Sequence, residues 1–233
     1  SILKIGENNG LFSLAGKQSD IRNLTLEGAT LTGTVDVNNP IGGSIQAGAI
    51  AGASSGQINN CHTEGGQIRI TFKKSPSSLY IGGLVGSGKN CKIADCSNAN
   101  HIEIKDPNYT CQLLIGGIGA LLYTQTLNCY NTGSLNMEGQ GILGGIAGMA
   151  MALENCYNSG KINADVSEAY TDQPTLAVGG IAGAGVGYIA NCYSTGDITA
   201  EGNLKQKDAP IAAGGICGMV QPFERDYYGY IDN

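Results

Sequence analysis

One short stretch, Gly144 to Gly160, returns in altered form along almost the whole chain, and that self-similarity restricts the fold more than any other feature. Aligned on the residue after an asparagine or aspartate, the copies have key residues Leu24, Cys61, Cys96, Cys129, Cys156 and Cys192, spaced 37, 35, 33, 27 and 36 apart. Immediately before them stand Asn23, Asn60, Asp95, Asn128, Asn155 and Asn191, and four places after them Gly28, Gly65, Asn100, Gly133, Gly160 and Gly196. Upstream lies a glycine run: Gly82 to Gly86, Gly116 to Gly119, Gly144 to Gly148, Gly179 to Gly183 and Gly214 to Gly218, with weaker forms at Phe12 to Gly16 and Gly48 to Gly52.

Repeats of about 20 to 50 residues mark a solenoid, because one unit cannot bury its apolar face alone and must stack on the next. Helical repeats are excluded, since each unit carries several glycines and each costs roughly 1 kcal/mol in a helix interior. What remains are short apolar segments between asparagines and glycines, which tolerate positive φ. The reading is an all-β fold: a single-stranded right-handed parallel β-helix of about seven coils with three short strands each. The right hand follows from the strong preference of parallel crossovers.

An apolar residue three places before the key (Ile21, Ile58, Ile93, Leu153 or Ile189) breaks the alternation of a strand, so the chain must bend at the intervening Asn or Asp. These side chains suit left-handed geometry and would stack at the coil spacing of about 4.8 Å as a ladder through Asn60, Asp95, Asn128, Asn155 and Asn191. The second bend is expected at the glycine four residues on, after which alternation resumes. Key residues point inward.

Composition agrees with a layered core of small side chains: 42% of the 233 residues are hydrophobic, with no tryptophan and three phenylalanines. One domain, 1–233, is expected, a rod of roughly 34 Å for seven coils of about 4.8 Å. Residues 1–14 and 221–233 would cap it or mark where a longer protein continues. No membrane-length apolar run or signal peptide is visible, so direct membrane insertion is not expected. A net charge of −6 without a basic stripe argues against nucleic acid as a partner.

Five of the eight cysteines are keys and would stack as free thiols, because parallel in-register Cβ atoms stand slightly too far apart to bridge. Cys91, Cys111 and Cys217 lie off that column, and a Cys91 to Cys111 bridge between coils is open. His62 and His101 fit no zinc or hydrolase motif and read as strand or corner residues. No catalytic residue, metal or cofactor is assigned. Five of six prolines (Pro40, Pro76, Pro107, Pro174 and Pro210) fall between the third strand of one coil and the glycine run of the next. These stretches should absorb all length variation and emerge on one side, and that side or the groove beside it is the expected contact face.

The recurring run, as in Gly82-Gly83-Leu84-Val85-Gly86 and Gly179-Gly180-Ile181-Ala182-Gly183, followed by Asn-Cys-Tyr, resembles the GLUG repeat over nearly the whole chain. That resemblance implies a β-helical module of bacterial surface or adhesin-like proteins, also seen in non-catalytic regions of immunoglobulin A metallopeptidases. It implies an extracellular or cell-surface location and a host or bacterial surface protein, or a glycan, as partner. The function expected is a non-catalytic adhesion, interaction or spacer module of a larger protein. The alternative is a carbohydrate-binding or polysaccharide-degrading β-helix.

Stacking places three sets of side chains together. Tyr130, Tyr157 and Tyr193 follow the key and should point outward, after His62 and Ser97 and with Tyr228 as a continuation, beside Asn131, Asn158 and Ser194. They could form a sugar platform or simply hold coils together. Glu138, Asp165 and Glu201 fall at the outward end of the third strand, where solvent or a cation must relieve like charges. Glu27 and Glu64 precede the corner glycine in adjacent coils, the one pairing a glycosidase reading could use.

Overall fold

A computed structural model describes residues 8–36, 44–74, 78–106, 111–166, 176–202 and 211–220. Paired strands are parallel throughout, in three sheets of 7, 13 and 6 strands. A representative coil runs through Gly141–Gly144 in the first sheet, Ala147–Glu154 and Tyr157–Asn158 in the second, and Ile162–Asp165 in the third. The chain is an all-β parallel solenoid.

The coil count falls slightly short of seven. The third sheet has 6 strands and the first has 7, so six coils close all three sides. The next is described only in Ile211–Gly214 and Cys217–Val220. Three short strands per coil also proves too simple. From Val85 onward the second side of each complete coil is a strand of 8 to 10 residues, continued beyond the bend by a strand of 2.

The bend itself lies where the sequence puts it. Asn23, Asn60, Asp95, Asn128, Asn155 and Asn191 all have φ between 49° and 56°, a left-handed conformation that costs most L-residues about 1–2 kcal/mol. Turning there drives the next side chain inward, and Cys61, Cys96, Cys129 and Cys156 are fully buried in one apolar cluster. A physical reason for cysteine follows. The bend leaves the carbonyl two residues earlier facing the core, and each thiol donates to it at 3.0 to 3.3 Å: Cys61 to Asn59, Cys96 to Ala94, Cys129 to Leu127, Cys156 to Glu154 and Cys192 to Ala190. All eight cysteines are free. The Cys91 to Cys111 bridge does not form, because Cys91 packs with the second-sheet cluster and Cys111 belongs to the core between the first and third sheets.

The second bend needs correcting. Only Gly28 and Gly65 have the positive φ expected there, because the first two coils carry one extra residue at that corner. Thr63 pairs with Asn98 and Gln67 with His101, so four steps in one coil face three in the next. Asn100 bridges the mismatch, its Oδ1 accepting the Gly66 N–H at 2.9 Å. From there on, Gly133, Gly160 and Gly196 are glycines for lack of room: a Cβ would come within 2.0 to 2.1 Å of the carbonyl oxygen one coil earlier.

Length variation is not confined to the inter-coil stretches either. The second-side strand slips register between Lys89 and Lys92, where Asn90 adopts φ 54°, and again after Leu122 and Ala150. The prolines flagged as loop markers lie outside the described residues.

Each position of the glycine run has its own contact. A Cβ on Gly144 would stand 1.9 Å from the Ala147 carbonyl oxygen, one on Gly145 2.1 Å from the Gly180 oxygen, and one on Gly148 2.7 Å from the Ala120 oxygen. Between them Ile146 and Ala147 are fully buried. The run is therefore the tight corner from the first sheet into the second.

Candidate functional site

Inside the second bend lies a feature that the sequence reading misplaced. Asn131 and Asn158, expected as hydrogen-bonding edges beside exposed phenols, are fully buried, as is Asn98. Asn98 Nδ2 donates to Asn131 Oδ1 at 2.7 Å, Asn131 to Asn158 at 2.8 Å, and Asn158 to Ser194 Oγ at 3.3 Å. Below, Thr63 Oγ1 donates to Asn98 Oδ1 at 2.7 Å. The same amides satisfy the corner backbone, with Asn131 donating to the Gly133 carbonyl at 2.8 Å and Asn158 to that of Gly160 at 2.9 Å. Space for them comes from the glycine run, since a Cβ on Gly117 would stand 2.4 Å from Asn131 Cγ and one on Gly145 2.5 Å from Asn158 Cγ. This column is committed to the fold.

The exposed bend ladder is real but interrupted. Asn60 donates to Asn23 at 2.8 Å, Asn128 to Asp95 at 2.9 Å and Asn155 to Asn128 at 3.2 Å. Between Asn60 and Asp95 the link is made instead by Asn59, at 3.3 Å, while Asn60 Oδ1 pairs with His62 Nε2 at 3.0 Å. His62 Nδ1 meets Ser97 Oγ at 2.8 Å and His101 Nδ1 meets Ser134 Oγ at 2.6 Å, so both histidines join coil to coil.

The tyrosines do form a column. Ring centroids of Tyr130 and Tyr157 are 5.0 Å apart at 3°, and those of Tyr157 and Tyr193 5.3 Å apart at 7°. Stacked this way, the ring faces cover one another and only edges point outward. Tyr193 is 55% exposed at the end of the described column, whereas Tyr130 and Tyr157 are half-buried. Burial and then the flanking phenols raise the Tyr157 pKa. A sugar face has no open ring to lie on between Tyr130 and Tyr193. Tyr228 lies outside the described residues.

Burial, before any other cause, holds the Cys129 thiol of the buried column well above the usual thiol range. Apart from it, burial and the Asp106 carboxylate push the Cys111 thiol up.

The third sheet carries the outward polar surface. Glu138, Asp165 and Glu201 are in register as expected, and Lys105 precedes them in the same column. A second column, absent from the sequence reading, runs beside it through Glu103, Asn136, Asn163 and Thr199. Asn163 Nδ2 donates to Asn136 Oδ1 at 2.6 Å. Between the columns lies a groove of about 320 Å³ lined by both. No tyrosine of the stacked column lines it.

Like charge along the groove is relieved at its lower end by cations. Arg69 meets Glu103 at 2.6 Å, and Lys105 lies 3.4 Å from Glu103 and 3.8 Å from Glu138. Burial opposes ionisation of Glu103, but Arg69 and Lys105 outweigh it and its pKa falls below the usual carboxylate value. A lowered native pKa stabilises the fold above the unfolded value of about 4.3 and is lost as pH drops below it. Wild-type stability in urea should therefore fall more steeply below about pH 4.3 than that of Glu103→Gln; parallel acid limbs would show that Glu103 contributes nothing.

Glu27 and Glu64 are in register and exposed, both in the second sheet, and neither lines the groove. Among the described residues no group of three or more His, Cys, Asp or Glu side chains could hold a metal ion. No helix among them is long and apolar enough to cross a membrane. Searches of protein-family models, of curated proteins and of solved structures find no match to this chain.

Proposed function

We propose that this chain is a non-catalytic module of a larger cell-surface protein, a rod that adheres to its partner through the outer face of the third sheet. The observation that carries this reading is the pair of polar columns, Glu103-Asn136-Asn163-Thr199 and Lys105-Glu138-Asp165-Glu201, flanking one groove across four coils. The amides of the second bend are fully buried, whereas these columns lie on the outward face of the third sheet. A stack of in-register coils also suits a spacer, because each contacts only its neighbours and the rod can present a continuous face. The glycine runs that resemble GLUG repeats support an extracellular, adhesin-like setting. Much of the inter-coil stretches, the contact side expected from the sequence, lies outside the described residues.

The test is adhesion of the labelled full chain to panels of host and bacterial cells, with Asn163→Arg as the blocked variant. Binding by the wild type with at least a tenfold loss in Asn163→Arg is expected. Absence of binding to every surface, or equal binding by the variant, would overturn the proposal.

A further inference from the structure

We propose that the buried thiol column binds soft monovalent metal ions of the copper(I) class, each ion held in line between the sulfurs of two neighbouring coils. The site is independent of the groove on the third sheet.

Register comes first. The residues one place after the keys, His62, Ser97, Tyr130, Tyr157 and Tyr193, pair from coil to coil, and so do Asn59, Ala94, Leu127, Glu154 and Ala190, two places before them. The keys between are joined through their backbones, the N–H groups of Tyr130, Tyr157 and Tyr193 donating to the Cys96, Cys129 and Cys156 carbonyls at 3.0 to 3.2 Å. All five thiols make the same contact with the carbonyl two places earlier. Their sulfurs therefore point the same way and repeat at the coil spacing of about 4.8 Å.

That spacing selects the occupant. A disulfide needs sulfurs about 2.05 Å apart and Cβ atoms about 3.8 Å apart, closer than the coils bring them. Two metal–sulfur bonds of about 2.3 Å laid end to end span about 4.6 Å, which fits the gap as it stands. Zinc does not suit it, because zinc takes four ligands in a tetrahedron and among the described residues no group of three or more His, Cys, Asp or Glu side chains could hold a metal ion. An ion bound in line needs two sulfurs, and soft sulfur ligands select copper(I).

Charge agrees with a monovalent ion. Cys61, Cys96, Cys129 and Cys156 are fully buried in an apolar cluster, where a net charge would be costly. An ion entering between two thiols forms two metal–sulfur bonds and breaks one S–H bond, whose proton leaves to solvent, while the second sulfur keeps its proton and gives a lone pair. One positive charge enters, one leaves, and no oxidation state changes. Nor does the lost proton leave an acceptor bare, since the Leu127, Glu154 and Ala190 carbonyls also accept the N–H groups of Asp95, Asn128 and Asn155 at 3.0 to 3.1 Å.

Thr126 adds a separate observation. It is fully buried in register with the core residues Ile93 and Leu153, its hydroxyl oxygen has no hydrogen-bond partner, and the Cys156 sulfur stands 3.8 Å from its carbonyl oxygen. A polar atom with nothing to satisfy it thus sits beside the gap between Cys129 and Cys156, where a cation would be attracted. Cys192, half-buried at the upper end of the column, gives ions a way in.

The experiment counts ions retained by the full chain after gel filtration with silver(I), a redox-inert ion of the same class, in buffer containing glutathione. Glutathione strips silver from single thiols, whereas two sulfurs fixed on either side of an ion hold it. Bonds at sulfur meet at a bent angle, so one thiol cannot serve two ions in line, and the five thiols form two separate pairs. About two ions per chain should be retained by the wild type, and equally by Cys91→Ala combined with Cys111→Ala and Cys217→Ala, which lie off the column. Cys129→Ala leaves Cys61 with Cys96 and Cys156 with Cys192, and should keep both ions. Cys96→Ala or Cys156→Ala strands one thiol at an end and should keep about one ion. Cys61→Ala combined with Cys192→Ala leaves three thiols in line, should also keep about one, and replaces Cys96→Ala and Cys156→Ala as the test if those do not fold. Copper(I) added under nitrogen should give the same counts, and zinc none. No retained silver, an equal loss from Cys129→Ala and Cys156→Ala, or retention of zinc overturns the assignment.

Discussion

Asn131→Ala should lower the stability of the chain by about 4 kcal/mol, because it strips partners from several buried groups at once and each such loss costs about 1–3 kcal/mol. Asn131 accepts from Asn98 and donates to both Asn158 and the Gly133 carbonyl, all inside a fully buried column. After truncation the Gly133 oxygen has lost a donor and Asn98 Nδ2 keeps only the Asn100 carbonyl, at 3.3 Å. Urea unfolding followed by circular dichroism measures the loss. Asn136→Ala is the comparison, since it removes an amide of the outward third-sheet column and should cost about 1 kcal/mol or less. Equal midpoints for the two variants would refute the claim that the inner amides hold the coils together.

The second large effect concerns the glycine run. Alanine at Gly117 would put its Cβ 2.2 Å from the Gly145 oxygen and 2.4 Å from Asn131 Cγ, so backbone and amide column would both have to shift. Alanine at Gly144 would meet the Ala147 oxygen at 1.9 Å. Backbone cannot yield as a flexible side chain does, and losses on the order of 4 kcal/mol or more are expected. Failure to accumulate as soluble protein is an acceptable form of that result. Gly16→Ala is the control, having nothing within 4 Å of the added Cβ, and should be neutral or stabilising by about 0.5 kcal/mol. Thermal unfolding of the three variants separates steric need from general sensitivity to replacing glycine. A well-folded Gly117→Ala would mean that the coils approach less closely than described here.

These two variants also mark the boundary of what the sequence made legible. The bend at Asn23 through Asn191 could be read because two independent signals agree there: a broken apolar alternation and a residue suited to positive φ. The thiol column followed, since fixing the bend fixes which way the next side chain points. The inner amide column obeys the same alternation, two places after the key. It was misplaced because an asparagine looks like a surface residue until its partners are seen, and those partners come from other coils. A column of Asn98, Asn131 and Asn158 closed by Thr63 and Ser194 was the available signal.

At the candidate site the acids of the third strand were legible from alternation alone. Lys105 occupies the same position one coil earlier and was visible by the same count. The neighbouring column of Glu103, Asn136, Asn163 and Thr199 stands two residues upstream, and alternation alone gives both columns the same face. That a groove opens between them depends on how the sheet lies, which no spacing in the sequence reveals. The extra residue at Gly65 and Gly66 was hidden for a different reason, because a glycine occupied the expected place in both kinds of corner.

The inner amides share a head-to-tail direction: each donates a hydrogen bond to the coil above and accepts one from the coil below. Asparagine is the side chain that can do both in this position, so any coil built this way is interchangeable with its neighbour at this link. Threonine and serine at the two ends can act as either giver or taker, which makes them suitable terminators whatever the number of links between them. Between Asn98 and Ser194, duplicating or deleting a whole unit in the gene would leave this link intact.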